Sequence, residues 1–447
     1  MSPSGSRAAR WIAPRVRFRA PALSLVFLLA TLPALAGSPS VGAPPARPQF
    51  MILTFAVAQA GGVPHSARFK GVLSREVPRE IGRRMAGLLA ADTRFFAFRT
   101  TASGRPRFVV PQHFSSGAEA LRIGREGHAT FLLDGVLSVT DKLKVRVRLY
   151  EVESGRPLWQ SVYEKPTAEA GSLLAQAAHD LALAFPDALG EAARSAPRPP
   201  HEPGWEALVA YLRGEDMRFL QESHVMAVDP RPILDAFLES IQRDPAYDPP
   251  RDALLEETYA EIRHGTSLVE VPLGALARLA ALRPEAASFA ALARGQALAG
   301  REGVAYASWQ KSVAADPVFI EGWLNVARAH IEGGEYLEAA AALEKAVAIG
   351  LPTARLSART KRDLGGAYLE AGKLDKAIAA LEASVEENPR DPEAYDRLGN
   401  ACDRKAKSDP GASEAWANRA LEAFRTSTRL RGLPDRPLTP PGKKLIY

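Results

Sequence analysis

The sequence of 447 residues predicts an α+β protein, in which a mixed-sheet α/β domain is followed by an all-α superhelix of paired helices. Two observations carry this prediction. Residues 131–163 contain three closely spaced strand patterns, and residues 286–430 contain helix patterns in which small residues recur at regular intervals. The chain is 46% hydrophobic and 24% charged, which is typical of a globular protein of more than one domain.

The first 36 residues are predicted to be a cleavable signal peptide. Five arginines and no acidic residue precede or border an uncharged apolar run at residues 20–32, and small residues surround Ala36. The run is too short for the hydrocarbon core of a bilayer, about 30 Å thick. Gly37 stands where a lipoprotein needs a cysteine, so we expect a periplasmic or secreted protein. Retention of the segment would instead give a membrane-tethered scaffold, with membrane contact only through this segment.

The net charge of +6 comes largely from the same segment, because removal of its five arginines leaves about +1. A near-neutral chain gives no electrostatic reason to expect nucleic acid as a partner. The single cysteine, Cys402, excludes an intrachain disulfide and is expected to be buried. No phosphate-binding glycine loop, metal-ligand spacing or nucleophile motif occurs, so we expect no enzyme, cofactor, metal or small-molecule substrate.

Residues 49–190 are predicted to form the α/β domain, after a proline-rich linker at residues 37–48. A continuous apolar run predicts the first strand at residues 50–57, and helical spacing of apolar residues predicts a helix over residues 77–91, with Pro78 in its first turn. The remaining predicted elements are strands at residues 95–99, 131–139, 143–152 and 158–163 and helices at residues 118–125 and 168–184. This order implies a mixed sheet with helices mostly on one face.

The strand pattern of residues 131–163, together with Gly135, Gly155 and Trp159, resembles the amino-terminal domain of TolB and its relatives. Those proteins often carry tetratricopeptide repeats after the domain. The resemblance covers residues 49–190 and implies a protein-contact module without catalytic residues. We expect Trp159 to be a core residue.

Small residues recur at the helix crossings of the second half, because two antiparallel helices approach closely only where side chains are small. On the first helix of each pair they are spaced by 34, 38 and 34 residues, and on the second by 34, 38 and 43 residues. These positions are Ala293, Ala327, Gly365 and Gly399, then Ala305, Ala339, Ala377 and Ala420. The pattern resembles the tetratricopeptide repeat, which has a period of 34 residues. Residues 205–430 are therefore expected to contain about five repeats, of which the first are degenerate.

Such repeats imply a concave groove lined by the first helices, and such grooves bind extended peptides or helices of partner proteins. The repeat register gives six candidate groove residues: Leu324, Arg328, Ile331, Arg362, Leu369 and Asn400. Arg328, Arg362 and Asn400 leave open a carboxylate clamp for a peptide terminus. The alternatives are a groove for an internal peptide segment and a solvated polar face without a ligand.

Proline-rich segments at residues 191–204 and 431–447 predict an extended hinge and an extended tail. We therefore expect a non-enzymatic adaptor of the cell envelope, with two protein-binding surfaces joined by a hinge. The alternative from another class is an envelope ligand-binding protein or enzyme with a site in the α/β domain, at residues 60–70. That loop offers few polar groups, among them His65 and Lys70.

Overall fold

The computed structural model describes residues 49–60, 67–89, 92–96, 98–100, 106–108, 117–185, 201–222, 229–265 and 269–432. The predicted signal peptide, the linker at residues 37–48 and most of the hinge and the tail lie outside these residues. Residues 61–66 of the alternative ligand loop also lie outside them.

A six-stranded mixed sheet forms the centre of the first unit. Its strands are β1 (Gln49–Leu53), β2 (Ala56–Ala60), β3 (Asp92–Phe96), β6 (Phe131–Val139), β7 (Lys142–Glu151) and β8 (Pro157–Pro166), while β4 (Phe98–Thr100) and β5 (Pro106–Phe108) form a separate two-stranded sheet. The order is β3-β1-β6-β7-β8, with β2 also paired to β6. β1 runs parallel to β3 and β6, whereas β6, β7 and β8 are antiparallel.

Helices cover both faces of this sheet. They are α1 (Ala67–Leu88), α2 (Gly117–Glu126) and α3 (Ala170–Leu183), the last preceded by a 3-10 turn (Thr167–Glu169). α1 and α3 pack on the face where β7 buries Leu143, Val145, Val147 and Leu149, as its alternation predicted. α2 packs on the other face, against Leu132 and Val152.

Two sequence-based boundaries in this unit are wrong. The first strand is interrupted, because Thr54 and Phe55 separate β1 from β2. Pro78 lies inside α1 rather than in its first turn, since the helix begins at Ala67. A proline within a helix costs about 3 kcal/mol. Burial of Leu73, Val77 and other residues of α1 in the core, at about 1.5–3 kcal/mol each, outweighs that cost.

Twelve helices follow in the described part of the chain, arranged as six antiparallel pairs against the five or so expected. The pairs are α4 (Trp205–Glu222) with α5 (Pro230–Arg243), α6 (Pro249–Arg263) with α7 (Glu270–Leu282), α8 (Ala286–Leu298) with α9 (Glu302–Ala315), α10 (Ile320–Glu332) with α11 (Tyr336–Ile349), α12 (Ala354–Glu370) with α13 (Leu374–Glu387), and α14 (Pro392–Ser408) with α15 (Ser413–Leu430). No helix among the described residues has the length and apolarity needed to cross a membrane.

The small residues lie where the two helices of a pair cross. A Cβ atom at Gly365 would lie 2.5 Å from Cγ of Leu381, and one at Gly399 would lie 2.6 Å from the ring of Phe424. Ala327 is fully buried at the equivalent position. Gly300, Gly334 and Gly372, in the turns within pairs, have φ of 73–75°, a conformation that favours glycine.

In four of the six pairs a buried serine links the two helices by a hydrogen bond, which the sequence did not predict. Its hydroxyl, on the second helix, donates a hydrogen bond of 2.7–2.9 Å to a carbonyl oxygen at the start of the first helix. The bonds are Ser240 to Ala207, Ser312 to Ala286, Ser384 to Ala358 and Ser427 to Pro392.

The α/β unit and the first helical pairs share one hydrophobic core, which includes Leu173 of α3, Leu208 of α4 and Phe237 of α5. The segment that enters α4 is packed as well, since Pro203 is buried and its carbonyl accepts a hydrogen bond of 3.2 Å from the Gly171 amide. The prediction of an extended, poorly packed hinge is therefore wrong for residues 201–204. The buried residue is Pro203, which packs against Gly171, whereas His201 is exposed.

Candidate protein-interaction site

The six candidate groove residues lie on the first helices of three consecutive pairs, α10, α12 and α14. Ile331 and Asn400 are exposed, and Arg328 is partly exposed. Leu324 is half-buried and packs against the core of the later pairs. These four residues thus keep some surface that a partner can contact.

Leu369 does not belong to a groove. It is 4% exposed and is part of the core of the later pairs. The guanidinium of Arg404, on the next first helix, donates a hydrogen bond of 3.0 Å to the Leu369 carbonyl, so α14 covers this turn of α12. The groove assignment of Leu369 is therefore wrong.

The guanidinium of Arg362 is paired with carboxylates of its own chain. Its Nη1 lies 3.1 Å from Oδ2 of Asp391 and 3.0 Å from Oε2 of Glu393, and its Nη2 lies 3.2 Å from Oδ1 of Asp363. Its side chain is 13% exposed. Burial alone would lower the pKa of Arg362, but the three carboxylates raise it above its ordinary value. This guanidinium is not available to clamp a peptide carboxylate, so the clamp that included Arg362 is wrong.

Other charges on the first helices also pair with neighbouring helices. Arg294 of α8 forms two hydrogen bonds with Glu321 of α10, from Nε to Oε1 at 2.7 Å and from Nη2 to Oε2 at 2.5 Å. Arg397 of α14 pairs in the same way with Asp363 of α12. Much of the polar character of these helices therefore connects one helical pair to the next.

A cleft of about 340 Å³ opens between the third and fourth pairs. It lies between the start of α9 and the end of α10, and we call it the inter-pair cleft. Its lining includes aromatic, basic and acidic side chains: Tyr306, Trp309, Asn325, Arg328, His330, Glu302, Glu332 and Glu335. Of these, the sequence analysis singled out Arg328, as a groove residue. The sequence did not indicate a site at Glu302, Glu332 or Glu335, because acidic residues at helix ends are typical of an ordinary solvated surface.

A chain of hydrogen bonds crosses this cleft. Gln310 Nε2 donates to the Tyr306 hydroxyl at 2.7 Å, and that hydroxyl lies 3.2 Å from Nε2 of His330. Nδ1 of His330 lies 2.5 Å from Oε2 of Glu335. The chain fixes the His330 ring and orients Glu335 at the cleft.

A second group of ionisable side chains lies at the joint between α1 and α4, but it is closed to ligands. Glu76, Glu80 and Glu215 are buried there, and each pairs with Arg83 at 3.1–3.3 Å. Burial raises the pKa of Glu76 to about 7, although Arg79 and Arg83 oppose the shift. Because its carboxylates have almost no exposed surface, this cluster does not supply the open pocket that an enzyme or ligand-binding protein requires.

Two further chemistries find no support in the described residues. Cys402 is buried as expected, and burial raises the pKa of its thiol to about 11, which disfavours the reactive thiolate. Within the part of the chain that the structure describes, no group of three or more His, Cys, Asp or Glu side chains could hold a metal ion.

Comparison with known proteins identifies the helical repeats. Residues 330–401 match the tetratricopeptide repeat family model, which confirms that part of the sequence-based assignment. The chain is similar to the crystal structure of MamA, with 22% identity, coverage of 37% of this chain and 89% of that chain, and a TM-score of 0.32. It is similar to MamA 41-end from Desulfovibrio magneticus RS-1, with 20% identity, coverage of 40% and 96%, and a TM-score of 0.33.

A third similar structure is the C-terminal part of a TPR repeat-containing protein from Cytophaga hutchinsonii, with 14% identity, coverage of 47% and 78%, and a TM-score of 0.32. Similarities of this size carry no information about partners. No curated protein matches the chain. The fold class predicted from the sequence, a mixed-sheet α/β unit followed by helical repeats, is confirmed by the observed sheet, the succession of helices and the family match over residues 330–401.

Proposed function

We propose that this protein is a non-enzymatic scaffold that binds segments of partner proteins on its helical pairs. The observation that carries the proposal is the succession of six packed pairs, part of which matches the tetratricopeptide repeat. Such arrays present long continuous surfaces that bind peptides and helices. Leu324, Arg328, Ile331 and Asn400 are the groove residues that remain accessible to a partner.

The scaffold differs from the adaptor expected from the sequence in how its units are connected. The shared core fixes the first helical pairs to the α/β unit, so both contribute to one body. The α/β unit, with its resemblance to the TolB amino-terminal domain, is proposed to be a second protein-contact surface. The open face of β7 and β8 supports this, because Lys144 and Arg146 are exposed there beside Val162.

We further propose that the protein acts in the periplasm or outside the cell, on the basis of its amino-terminal sequence. Mass spectrometry of the amino terminus tests this location. A mature chain that starts near Gly37 supports release, whereas a chain that retains residues 1–36 makes the protein a membrane-tethered scaffold.

Photo-cross-linking tests the scaffold itself. A photoreactive amino acid at Asn400 should capture partner proteins from an envelope extract, and the same group at Glu386, on a second helix, should capture them much less. Asn400 and Glu386 are both exposed, so they are matched in access. Equal capture from both positions, or no capture from either, would argue against a binding surface on the first helices.

A further inference from the structure

The turns within the third and the fourth helical pair expose large apolar side chains. These turns, residues 298–304 and 331–337, border the inter-pair cleft from its two sides, and together we call them the turn edge. Nine large apolar side chains are exposed in the described chain, and four lie at the ends of these two turns. The four are Leu298 (53% exposed), Val304 (54%), Ile331 (37%) and Leu337 (51%). Such concentration indicates an interaction site rather than scattered surface residues.

The cleft between these turns holds a buried donor without an acceptor. Trp309 is 3% exposed and lines the cleft, and its indole Nε1 makes no hydrogen bond within the described structure. A buried donor of this kind is normally satisfied, because leaving it unpaired is unfavourable. An occupant that supplies a backbone or side-chain oxygen would satisfy it. The aromatic ring of Tyr306 adds an apolar wall.

The same edge is negatively charged. Glu302, Glu332 and Glu335 face the cleft, against the positive charge of Arg328. Arg301 of the turn edge does not line the cleft and pairs with Glu270 of α7. Glu335 faces His330, and Glu332 lies 3.9 Å from Arg328. Glu302 has no ion-pair or hydrogen-bond partner in the described residues. A partner with basic side chains complements this charge, whereas an acidic partner would be repelled.

We propose that the turn edge binds a basic amphipathic helix of a partner protein. This inference rests on the proposed scaffold function and names the partner class for one of its surfaces. Axes of packed helices are about 8–10 Å apart. Residues i and i+7 of a helix are about 10.5 Å apart along its axis and lie on one face. One amphipathic helix can therefore contact the apolar residues of both turns, with lysine or arginine side chains beside the glutamates.

The probe for this proposal is a 14-residue peptide of leucine and lysine, LKKLLKLLKKLLKL, compared with the same peptide carrying glutamate for lysine. Fluorescence anisotropy of each labelled peptide is measured with the purified full chain. We expect the lysine peptide to bind and the glutamate peptide not to bind. The double variant V304S/L337S should weaken binding about tenfold. The double variant E302Q/E332Q should weaken it about threefold and reduce its salt dependence.

Matched control variants lie elsewhere on the surface. Val318→Ser removes an apolar side chain that is 65% exposed, and Glu386→Gln removes an exposed carboxylate; neither residue belongs to the turn edge or lines the cleft. Both should leave the affinity for the lysine peptide within about twofold. Unchanged thermal unfolding of all four variants would show that the fold is retained.

Several results would overturn the proposal. The first is that the glutamate peptide binds as tightly as the lysine peptide. The second is that the control and turn-edge variants lose equal affinity for the lysine peptide, or that neither loses any. Self-association abolished by V304S/L337S would make a second copy the occupant. At least tenfold tighter peptide binding after removal of residues 433–447 would make the protein's own tail the occupant. Partner capture at Asn400 is independent of these outcomes and would keep the scaffold function in place.

Discussion

Arg75 of α1 forms a bidentate ion pair with Asp216 of α4, from Nε to Oδ1 at 2.6 Å and from Nη2 to Oδ2 at 2.8 Å. The pair joins the sheet unit to the first helix of the repeat array. Arg84 of α1 makes a second connection, at 2.8 Å from Nη1 to Oε2 of Glu202 just before α4. These contacts turn the boundary between the two units into a fixed joint.

Loss of one partner from this pair should destabilise the joint strongly. Asp216→Ala leaves the Arg75 guanidinium without its carboxylate in a place where both side chains are largely buried. The expected decrease in the free energy of unfolding is about 3 kcal/mol, measured by urea denaturation. The exposed pair of Arg278 and Asp235 is the control, because Asp235→Ala should change the free energy by less than about 1 kcal/mol.

The double variant Arg75→Met/Asp216→Leu distinguishes the net contribution of the ion pair to stability from the cost of leaving one buried charge unpaired. Replacing both charges by apolar groups removes the unpaired charge, so it should cost less than Asp216→Ala alone. Equal losses in the single and double variants would show that the ion pair does not determine the stability of the joint.

Glu257 of α6 should make stability depend on pH. The residue is 7% exposed, and burial raises its pKa to about 7, although Arg218 opposes the shift and Glu261, Glu222 and Glu256 add to it. In the unfolded chain its pKa is about 4.3. The folded state therefore holds this proton more tightly, so the contribution of Glu257 to stability is present at low pH and is lost as pH rises through about 7.

Glu257→Gln tests this dependence, because glutamine keeps the shape of the protonated acid. The substitution should leave the free energy of unfolding nearly unchanged at pH 4.5 and increase it at pH 8, by up to about 3 kcal/mol. Glu386→Gln, at an exposed carboxylate, should have no such pH dependence. A constant difference between wild type and Glu257→Gln across this range would contradict the raised pKa.

At the helix crossings, adding a single methyl group to a glycine should destabilise the protein. In Gly365→Ala the new Cβ would lie 2.5 Å from Cγ of Leu381 and 3.1 Å from the Ala377 carbonyl oxygen, so the helices must separate. The expected loss is about 1–3 kcal/mol of unfolding free energy. Gly274→Ala in α7 is the matched control, because no atom lies within 4 Å of the added carbon. There, better helix propensity should stabilise the protein by up to about 1 kcal/mol.

Local periodicity explains why the repeats were predictable and the joint was not. Gly365 and Ala327 could be assigned because the crossing of two helices demands small residues at fixed intervals. Arg75 and Asp216 are 141 residues apart, and nothing near either residue in the sequence indicates the other. The proline-rich composition before α4 predicted a solvated hinge, because composition does not reveal that Pro203 packs against Gly171.

The errors at the candidate groove have a similar origin. The register correctly placed Leu369 and Arg362 on a first helix, but it could not show that Arg404 covers one and that three carboxylates surround the other. Of the turn edge and its cleft the register predicted only Ile331 and Arg328, because the cleft is formed by residues of two different pairs, such as Trp309 and Glu335.

The recurring serine gives a test in which the hydrogen bond is removed from one helical pair and added to another. Ser384→Ala removes the hydrogen bond to the Ala358 carbonyl and should lower the free energy of unfolding by about 1 kcal/mol. In the fourth pair the equivalent position is occupied by Ala346, which is fully buried. Ala346→Ser should therefore raise the free energy by up to about 1 kcal/mol, since its hydroxyl can donate to a carbonyl at the start of α10.

Both effects are measured by urea denaturation. The pair of opposite signs distinguishes a specific interhelical hydrogen bond from a general intolerance of buried substitutions. If Ala346→Ser destabilises the protein as much as Ser384→Ala, then the site in the fourth pair is too tightly packed for a hydroxyl, and the serine is not an interchangeable part of the repeat.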